Sequence, residues 1–185
     1  RVRVGETQKL SVGEGPDGTS GGGMMIRLAG HVLAPLRVAQ GPRRIHVQAE
    51  DDFCVAPRAA FLLTLMLGEL ATNSAKHGAL AADGGQVHFT WHADPKDRSK
   101  LILQWAEDCG EAHFDDDAIA AFAHRRQGFG SQILLRILPA DVHGQAEIAL
   151  TPRGLQYRLT GLAARLVDNP DADVLDELHE TVQLS

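Results

Sequence analysis

The sequence is organised around the stretch Glu69-Leu70-Ala71-Thr72-Asn73-Ser74-Ala75-Lys76-His77-Gly78. This stretch closes the longest segment in which apolar residues recur at helical spacing, a segment that begins at Pro57. Proline suits the first position of a helix and Gly78 suits its end, so we expect one helix from Pro57 to about residue 80. Its apolar residues form a single stripe that predicts burial in a core. The stripe comprises Leu62, Leu63, Met66, Leu67, Leu70 and Ala71.

A second face of the same helix is polar. Glu69, Asn73, Lys76 and His77 stand at i, i+4, i+7 and i+8, which places them side by side. A carboxylate accepts a proton or positions a water, an amide oxygen suits Mg²⁺, and an ammonium group neutralises a phosphate. The alternative is a solvated helix face with an ordinary Glu/Lys pair, and spacing alone does not decide between the two.

Two later motifs add to this helix. They are Trp105-Ala106-Glu107-Asp108-Cys109-Gly110 and Gly128-Phe129-Gly130-Ser131. The 69–78 stretch resembles the N-box of the ATP-binding domain of bacterial sensor histidine kinases. With His77 and Trp105-Ala106-Glu107 it is similar, more narrowly, to the HWE subfamily, and the glycine motif is similar to the second glycine box of that family. The three motifs occur in the order of the family, and the resemblance covers roughly residues 29–163.

The resemblance implies a Bergerat-type ATPase fold that binds ATP and Mg²⁺. It assigns Asn73 to the metal ion and Glu69 to polarising the attacking group or a water, since phosphoryl transfer mainly needs positioning and charge neutralisation. Residues 107–127 would form a lid over the nucleotide. The expected phosphate-side residues are Lys76, His77, Arg126, Gly128, Phe129, Gly130 and Ser131.

The adenine side of the expected site is less regular. Glu107 matches the family, whereas Asp108, two residues before Gly110, matches the Asp-x-Gly spacing of the wider ATPase superfamily, and the sequence leaves both open. Strand alternation places Trp105 and Glu107 on one side. Cys109 stands where the family has a glycine, and Glu111 where it has a proline. Cysteine fits poorly if that backbone needs a positive φ.

The remaining pattern predicts an α/β two-layer sandwich, with one mostly antiparallel sheet covered on one face by helices. Strands are expected over 44–48, 86–92, 100–106, 145–150 and 155–162. Helices are expected over 26–36, 115–124 and 128–138, the last with Ile133, Leu134 and Ile137 inward. We divide the chain into residues 1–23 (an edge strand within 1–12 and a glycine-rich linker), a catalytic domain over 24–166, and an acidic tail over 167–185 with a helix near 174–182.

Composition narrows the function classes. The 185 residues carry a formal net charge of -6, which argues against a nucleic-acid surface. Two cysteines, Cys54 and Cys109, are too few for a disulfide framework and lack the spacing of metal ligands. No long apolar run or leader-like segment is visible, so we expect a cytoplasmic domain without direct membrane contact, compatible with a membrane-attached parent protein.

The function expected from the resemblance is an ATP-dependent protein histidine kinase domain. It would pass the γ-phosphate to a histidine on a dimerisation domain, and a response regulator would take it from there. No histidine in the chain has the expected acidic neighbour within a dimerising hairpin, so we expect the phosphoacceptor on another segment or partner. The alternative is a degenerate ATPase fold, marked by Cys109 and Glu111, that docks a regulator protein without nucleotide. A chaperone-type or mismatch-repair ATPase, or an anti-sigma serine kinase, fits His77, Trp105 and Glu107 less well.

Overall fold

The computed structural model describes residues 23–41, 44–50, 52–110, 113–124 and 128–168. The edge strand predicted within 1–12, the helix predicted near 174–182 and Arg126 lie outside these ranges. Strand β1 (Gly23–Met24) leads into helix α1 (Met25–Gln40), followed by β2 (Ile45–Ala49) and β3 (Cys54–Val55). Helix α2 (Pro57–His77) precedes the long hairpin of β4 (Gln86–Ala93) and β5 (Lys100–Asp108).

The second half of the described chain begins with α3 (Asp116–His124). A composite helix follows, made of α4 (Phe129–Gln132), a π-helical segment (Ile133–Ile137) and α5 (Leu138–Asp141). Strands β6 (Gln145–Thr151) and β7 (Gly154–Leu162) form the second hairpin, and the short helix α6 (Ala163–Leu166) comes last. None of the described helices combines the length and the apolar character that crossing a membrane requires.

Five strands form an open sheet in the order β2-β4-β5-β7-β6. The β2–β4 pair is parallel and the other three pairs are antiparallel, so the predicted α/β sandwich with a mostly antiparallel sheet is confirmed. A separate two-stranded sheet joins β1 to β3, and Val55 also bridges Val167. The domain boundaries at residues 23 and 166 stay predictions.

Helix α2 carries the core as its periodicity predicts. Pro57 occupies its first position, and Gly78 follows its last residue with an extended backbone. The apolar stripe is fully buried except for the half-buried Leu62. It faces the aromatic residues of the sheet, in which Phe89 packs against both Trp91 and Trp105 at ring-centroid distances of 5.5 and 6.4 Å. The helix that bears the candidate site residues is thereby packed, along its apolar stripe, in the same core as the sheet aromatics.

Two predicted helices differ from the structure in detail. Helix α1 extends beyond the predicted 26–36 to Gln40, because Gly41, with a φ of 93°, supplies the turn that ends it. The composite helix also does not bury Ile137 as predicted: this side chain is 43% exposed, and Leu138 is buried instead. The wider π-helical turn at Ile133–Ile137 shifts the register of the inward face by one residue.

A buried tyrosine fixes the π-helical segment to the sheet. The hydroxyl of Tyr157 on β7 donates to the carbonyl oxygen of Leu134 at 3.0 Å. Burial raises the pKa of Tyr157, so the side chain stays a neutral hydrogen-bond donor. The start of the composite helix, which carries the glycine motif, is therefore anchored through β7.

Candidate functional site

A cavity of about 950 Å³ lies beside the C-terminal half of α2. Its walls come from α2, the end of β5, α3, the start of α4, and the strands β6 and β7. Its polar lining includes Glu69, Asn73, His77, Glu107 and Ser131, and its apolar lining includes Leu70, Phe114, Ile119, Phe122, Phe129, Leu134, Ile148, Leu150 and Leu155. A volume of this size fits a ligand of drug or nucleotide dimensions, with a few polar groups set into apolar walls.

Most of the residues predicted from the three motifs meet at this cavity. Eight of them line it, namely Glu69, Asn73, His77, Glu107, Gly128, Phe129, Gly130 and Ser131. Lys76, Asp108 and Gly110 do not line it, and Arg126 lies outside the described residues. The structure therefore brings the N-box helix, the Trp-x-Glu strand and the glycine motif to one place.

The polar face of α2 splits into two parts. The amide nitrogen of Asn73 donates to Oε1 of Glu69 at 2.9 Å, which leaves the amide oxygen of Asn73 as a free acceptor end. His77 is exposed at the cavity, and Lys76 is exposed outside its lining. Within the described part of the chain no ion pair joins Glu69 to Lys76, so the ordinary Glu/Lys helix pair is not what this face forms.

The glycine motif approaches this face without leaving room for a side chain. A Cβ atom added to Gly130 would lie 2.0 Å from Cδ of Glu69, whereas one added to Gly128 would meet nothing within 4 Å. Gly128 precedes α4, and its carbonyl accepts from the amide of Gln132 at 3.2 Å. Phe129 is 72% exposed at the cavity. Only Gly130 is needed for the close contact between the two elements.

The other end of the cavity holds a buried carboxylate. Glu107 is 3% exposed, and its Oε2 accepts from the amide of Ala79 at 3.0 Å. Its Oε1 accepts from Nε1 of Trp105 at 3.2 Å, which confirms that these two side chains share one side of β5. A Cβ atom on Gly78 would lie 2.1 Å from Oε2 of Glu107, so this glycine makes the contact possible. Glu107 is fixed in place through hydrogen bonds and close packing.

Asp108 faces a different environment. Arg153 donates to both of its carboxylate oxygens, at 2.8 and 2.7 Å, and the amide of Gly110 adds a bond of 2.8 Å. The bonds from Arg153 and then from Gly110 lower the pKa of Asp108. Asp108 lines a second cavity, of about 550 Å³, together with His88. Of the two carboxylates that the sequence left open, only Glu107 lines the large cavity.

Cys109 causes no backbone strain. Among the described residues other than glycine, only His143 has a positive φ, so the residue at position 109 adopts an ordinary conformation, and Gly110 takes the left-handed one at 88°. The amide of Cys109 donates to the carbonyl of Arg153 at 2.7 Å. Burial, then Glu107 and Asp108, raise the pKa of the thiol, which keeps it protonated. Cysteine at position 109 therefore does not distort this turn.

Apart from Phe129, the apolar residues of the walls were not predicted as site residues. Phe114, Ile119 and Phe122 line the cavity from the segment that contains α3, whose start is capped by Asp115 through a 2.8 Å bond to the amide of Ala118. Ile148 and Leu150 line it from β6. Apolar spacing within 118–122 and alternation within β6 were visible signals, but each is equally typical of core packing.

Two histidines stack on the face of the sheet that carries His88. The rings of His46 on β2 and His88 on β4 stack at a centroid distance of 4.7 Å and an interplanar angle of 14°. Burial first, and then His46, lower the pKa of His88, while Asp108 raises it. His88 therefore lies in a setting that favours its neutral imidazole form.

Comparison with solved structures places this fold in a known class. The histidine kinase domain of the blue-light-activated histidine kinase from Erythrobacter litoralis EL346 matches with a TM-score of 0.56 and 17% identity, over 74% of this chain and 61% of that one. The catalytic domain of the histidine kinase ThkA matches with a TM-score of 0.52 and 11% identity, over 77% and 97%. The chain has the fold of a histidine kinase catalytic domain.

Sequence comparison finds relatives of higher identity than these solved structures. A blue-light-activated histidine kinase from Brucella anthropi is 32% identical over 124 residues, which cover 66% of this chain and 23% of the relative. No family model matches the chain. The chain is homologous to blue-light-activated histidine kinases, and it spans about a quarter of the length of this relative. The resemblance to sensor histidine kinases drawn from the three motifs is confirmed.

Proposed function

We propose that this chain is the ATP-binding catalytic domain of a two-component histidine kinase. The proposal rests on one observation: a single cavity contains all three groups. The Glu69–Asn73 pair and the glycine motif line one end, and the buried Glu107 lines the other. Gly78, which lies against Glu107, directly follows α2 and is nine positions after Glu69, so at 1.5 Å per residue the two ends lie about 13 Å apart along the helix axis. Apolar walls lie between them. This layout suits an extended ligand with a flat base and a charged tail.

Each end of the cavity fits one part of ATP. The carboxylate of Glu107 is an acceptor for the exocyclic amino group of adenine, and Phe114 and Phe122 offer apolar surface to the ring. Gly128, Gly130 and Ser131 offer main-chain amides and a hydroxyl toward the phosphates. We assign base recognition to Glu107 rather than Asp108, because Glu107 lines the large cavity and accepts only from neutral donors, whereas Asp108 lies outside this lining and is paired with the charged Arg153.

The residues present also fit a Mg²⁺ ion. Because the amide nitrogen of Asn73 donates to Glu69, the amide oxygen is the end left for a metal, and Mg²⁺ needs few protein ligands since it keeps several waters. When bound, the ion neutralises charge on the phosphates of the nucleotide. Glu69, held by Asn73, lies where it can orient the attacking group or a water.

In this proposal a histidine nitrogen attacks the γ-phosphorus, the bond to the bridging oxygen breaks, and ADP leaves. The histidine belongs to a dimerisation domain of the same kinase or a partner kinase, and a response regulator receives the phosphoryl group next. Homology to histidine kinases supports this proposal for the class of partners. The resemblance implies that His77 faces the phosphates, but His77 directly precedes Gly78, which lies against Glu107, so we assign His77 to the base end of the cavity. For Lys76, which is exposed outside the lining, we propose contact with the phosphates only after its side chain reorients.

Calorimetric titration with Mg-ATP tests the proposal directly. We expect micromolar binding that chelation of Mg²⁺ weakens, and a loss of at least about tenfold in affinity in Asn73→Ala, because the variant removes the metal ligand. Thr72→Ala is the matched control, since Thr72 is an exposed neighbour on α2 outside the cavity lining. An absence of heat and of ADP competition, in protein shown to be folded, would refute nucleotide binding and favour the regulator-docking module.

A further inference from the structure

Arg44 makes an unusually complete set of hydrogen bonds just outside the cavity. Its side chain reaches from the start of β2 to the connection between α2 and β4, residues 78–85. Nε donates to the carbonyl of Gly85 at 2.8 Å, and Nη2 donates to the carbonyls of Ala79, at 2.7 Å, and Ala82. Nη1 donates to Oε1 of Gln40 at 2.9 Å. Three main-chain carbonyls of one short connection therefore converge on one guanidinium group.

This convergence requires a forked cation. The connection is so tight that a Cβ atom on Gly85 would lie 2.1 Å from the carbonyl oxygen of Ala79. Carbonyl dipoles brought together with their negative ends repel one another unless a donor lies between them. Arginine presents five N–H donors in a rigid plane, whereas lysine presents one compact ammonium group that cannot reach three separated acceptors equally well.

Ala79 links this cluster to the site. It is fully buried, its carbonyl oxygen accepts from Arg44, and its amide donates to Oε2 of Glu107 at 3.0 Å. A shift of Ala79 therefore moves the donor that holds one oxygen of Glu107. Gly78, whose missing side chain makes room for the same oxygen, is its direct neighbour.

We propose that Arg44 is a positioning residue of the nucleotide site, which sets the Glu107 carboxylate, and with it recognition of the base, through Ala79. This inference rests on the proposed function. Arg44 does not line the cavity and touches no group placed against the nucleotide, so its effect is expected on base discrimination rather than on phosphate binding.

The test compares affinity for Mg-ATP with affinity for the inosine nucleotide, which lacks the exocyclic amino group. In Arg44→Met we expect the ratio of the two affinities to fall about five- to tenfold, because Glu107 loses its fixed position. Arg44→Lys should give an intermediate ratio, since it retains the charge but not the fork. Arg37→Met is the matched control: Arg37 donates to the carbonyl of Ile45 in the same corner of the fold.

The outcomes separate the two hypotheses. If the wild-type protein binds no ATP, the proposed function and this inference are both refuted. If it binds ATP, and Arg44→Met lowers stability yet leaves the ratio at the wild-type value, then Arg44 is merely structural and only this inference falls. If Arg44→Met does not fold, Arg44→Lys decides, and a wild-type ratio in that variant overturns the inference.

Hydrogen exchange gives a reading that needs no nucleotide. The amide of Ala79 is protected by its bond to Glu107, so in Arg44→Met we expect its exchange to accelerate about tenfold or more relative to the amides of β5. Arg37→Met should leave Ala79 protected. Equal exchange of Ala79 in the wild type and in Arg44→Met would contradict the proposed link.

Discussion

Replacing Glu107 by glutamine tests the site with the smallest change in shape. The two carboxylate oxygens of Glu107 each accept one donor, the amide of Ala79 at 3.0 Å and Nε1 of Trp105 at 3.2 Å. A glutamine side chain has only one oxygen, so whichever way it is turned its NH₂ group faces a donor. The site is 3% exposed, and water does not readily satisfy the donor that is left over.

The expected loss of stability follows from the one donor that glutamine leaves without an acceptor. One buried donor without an acceptor destabilises a protein by about 1–3 kcal/mol. Taken as about 2 kcal/mol in a chain of this length, the loss lowers the melting temperature by about 4–8 °C. Loss of a charged acceptor for the adenine amino group weakens binding by about 1.5–3 kcal/mol, or roughly ten- to a hundredfold in affinity.

Thermal unfolding and calorimetric titration with Mg-ATP measure the two effects separately. Asp108→Asn is the matched control, because Asp108 is the adjacent carboxylate but pairs with Arg153 outside the large cavity. An exposed ion pair contributes little to stability, so we expect a melting temperature close to that of the wild type and unchanged affinity for Mg-ATP. The reasoning fails if Glu107→Gln is as stable and binds ATP as tightly as the wild type, or if Asp108→Asn is the variant that loses nucleotide.

Three further predictions concern the surroundings of the site. In Gly130→Ala a Cβ would lie 2.0 Å from Cδ of Glu69, so this half-buried carboxylate must move and lose its bond from Asn73. We expect about tenfold weaker binding of Mg-ATP with little loss of stability, whereas Gly128→Ala, with nothing within 4 Å, should change neither; equal affinities in the two variants would refute this. Tyr157→Phe leaves a carbonyl of the π-helical segment without its buried donor and should cost about 1 kcal/mol or more, so an unchanged urea midpoint would contradict the anchoring role. Burial, and then the stacked histidine beside it, lower the pKa of His88, so the unfolded chain binds more protons, and stability should fall as the pH drops through about 6.5. His88→Gln should flatten that part of the pH profile of the melting temperature, and an unaltered profile would show that another group titrates.

Local periodicity predicted a large part of this molecule. The helix from Pro57 to His77 and its buried stripe follow from a repeat that needs no knowledge of the rest of the chain. The same is true of Trp105 and Glu107, which two-residue alternation places on one side of β5. The family resemblance carried by the three motifs implied that their elements share one site, and in the structure residues of all three motifs line one cavity.

The features that were missed depend on distant partners or on local irregularity. The sequence did not distinguish Asp108 from Glu107, because the difference between them comes from Arg153, which binds Asp108 from 45 residues away. The exposure of Ile137 follows from a π-helical turn, which leaves no trace in the apolar pattern. In the sequence Arg44 is the second residue of the pair Arg43-Arg44, and the role that we propose for it depends on carbonyl groups 35 to 41 residues further along the chain.

The carboxylates around the cavity differ in what they still offer a ligand. Within the described chain the ion pairs engage Asp97, Asp108 and Asp141, and none engages Glu69 or Glu107. Glu69 and Glu107 are instead each set against a glycine, with hydrogen bonds from an amide or an indole to fix them. A carboxylate held by neutral donors keeps its charge available for an incoming amino group or cation, whereas one already matched by arginine does not. Because of that contrast, we assign the two ends of the cavity to positively polarised parts of Mg-ATP. For Asp108 to take the role of Glu107, its ion pair with Arg153 would first have to break.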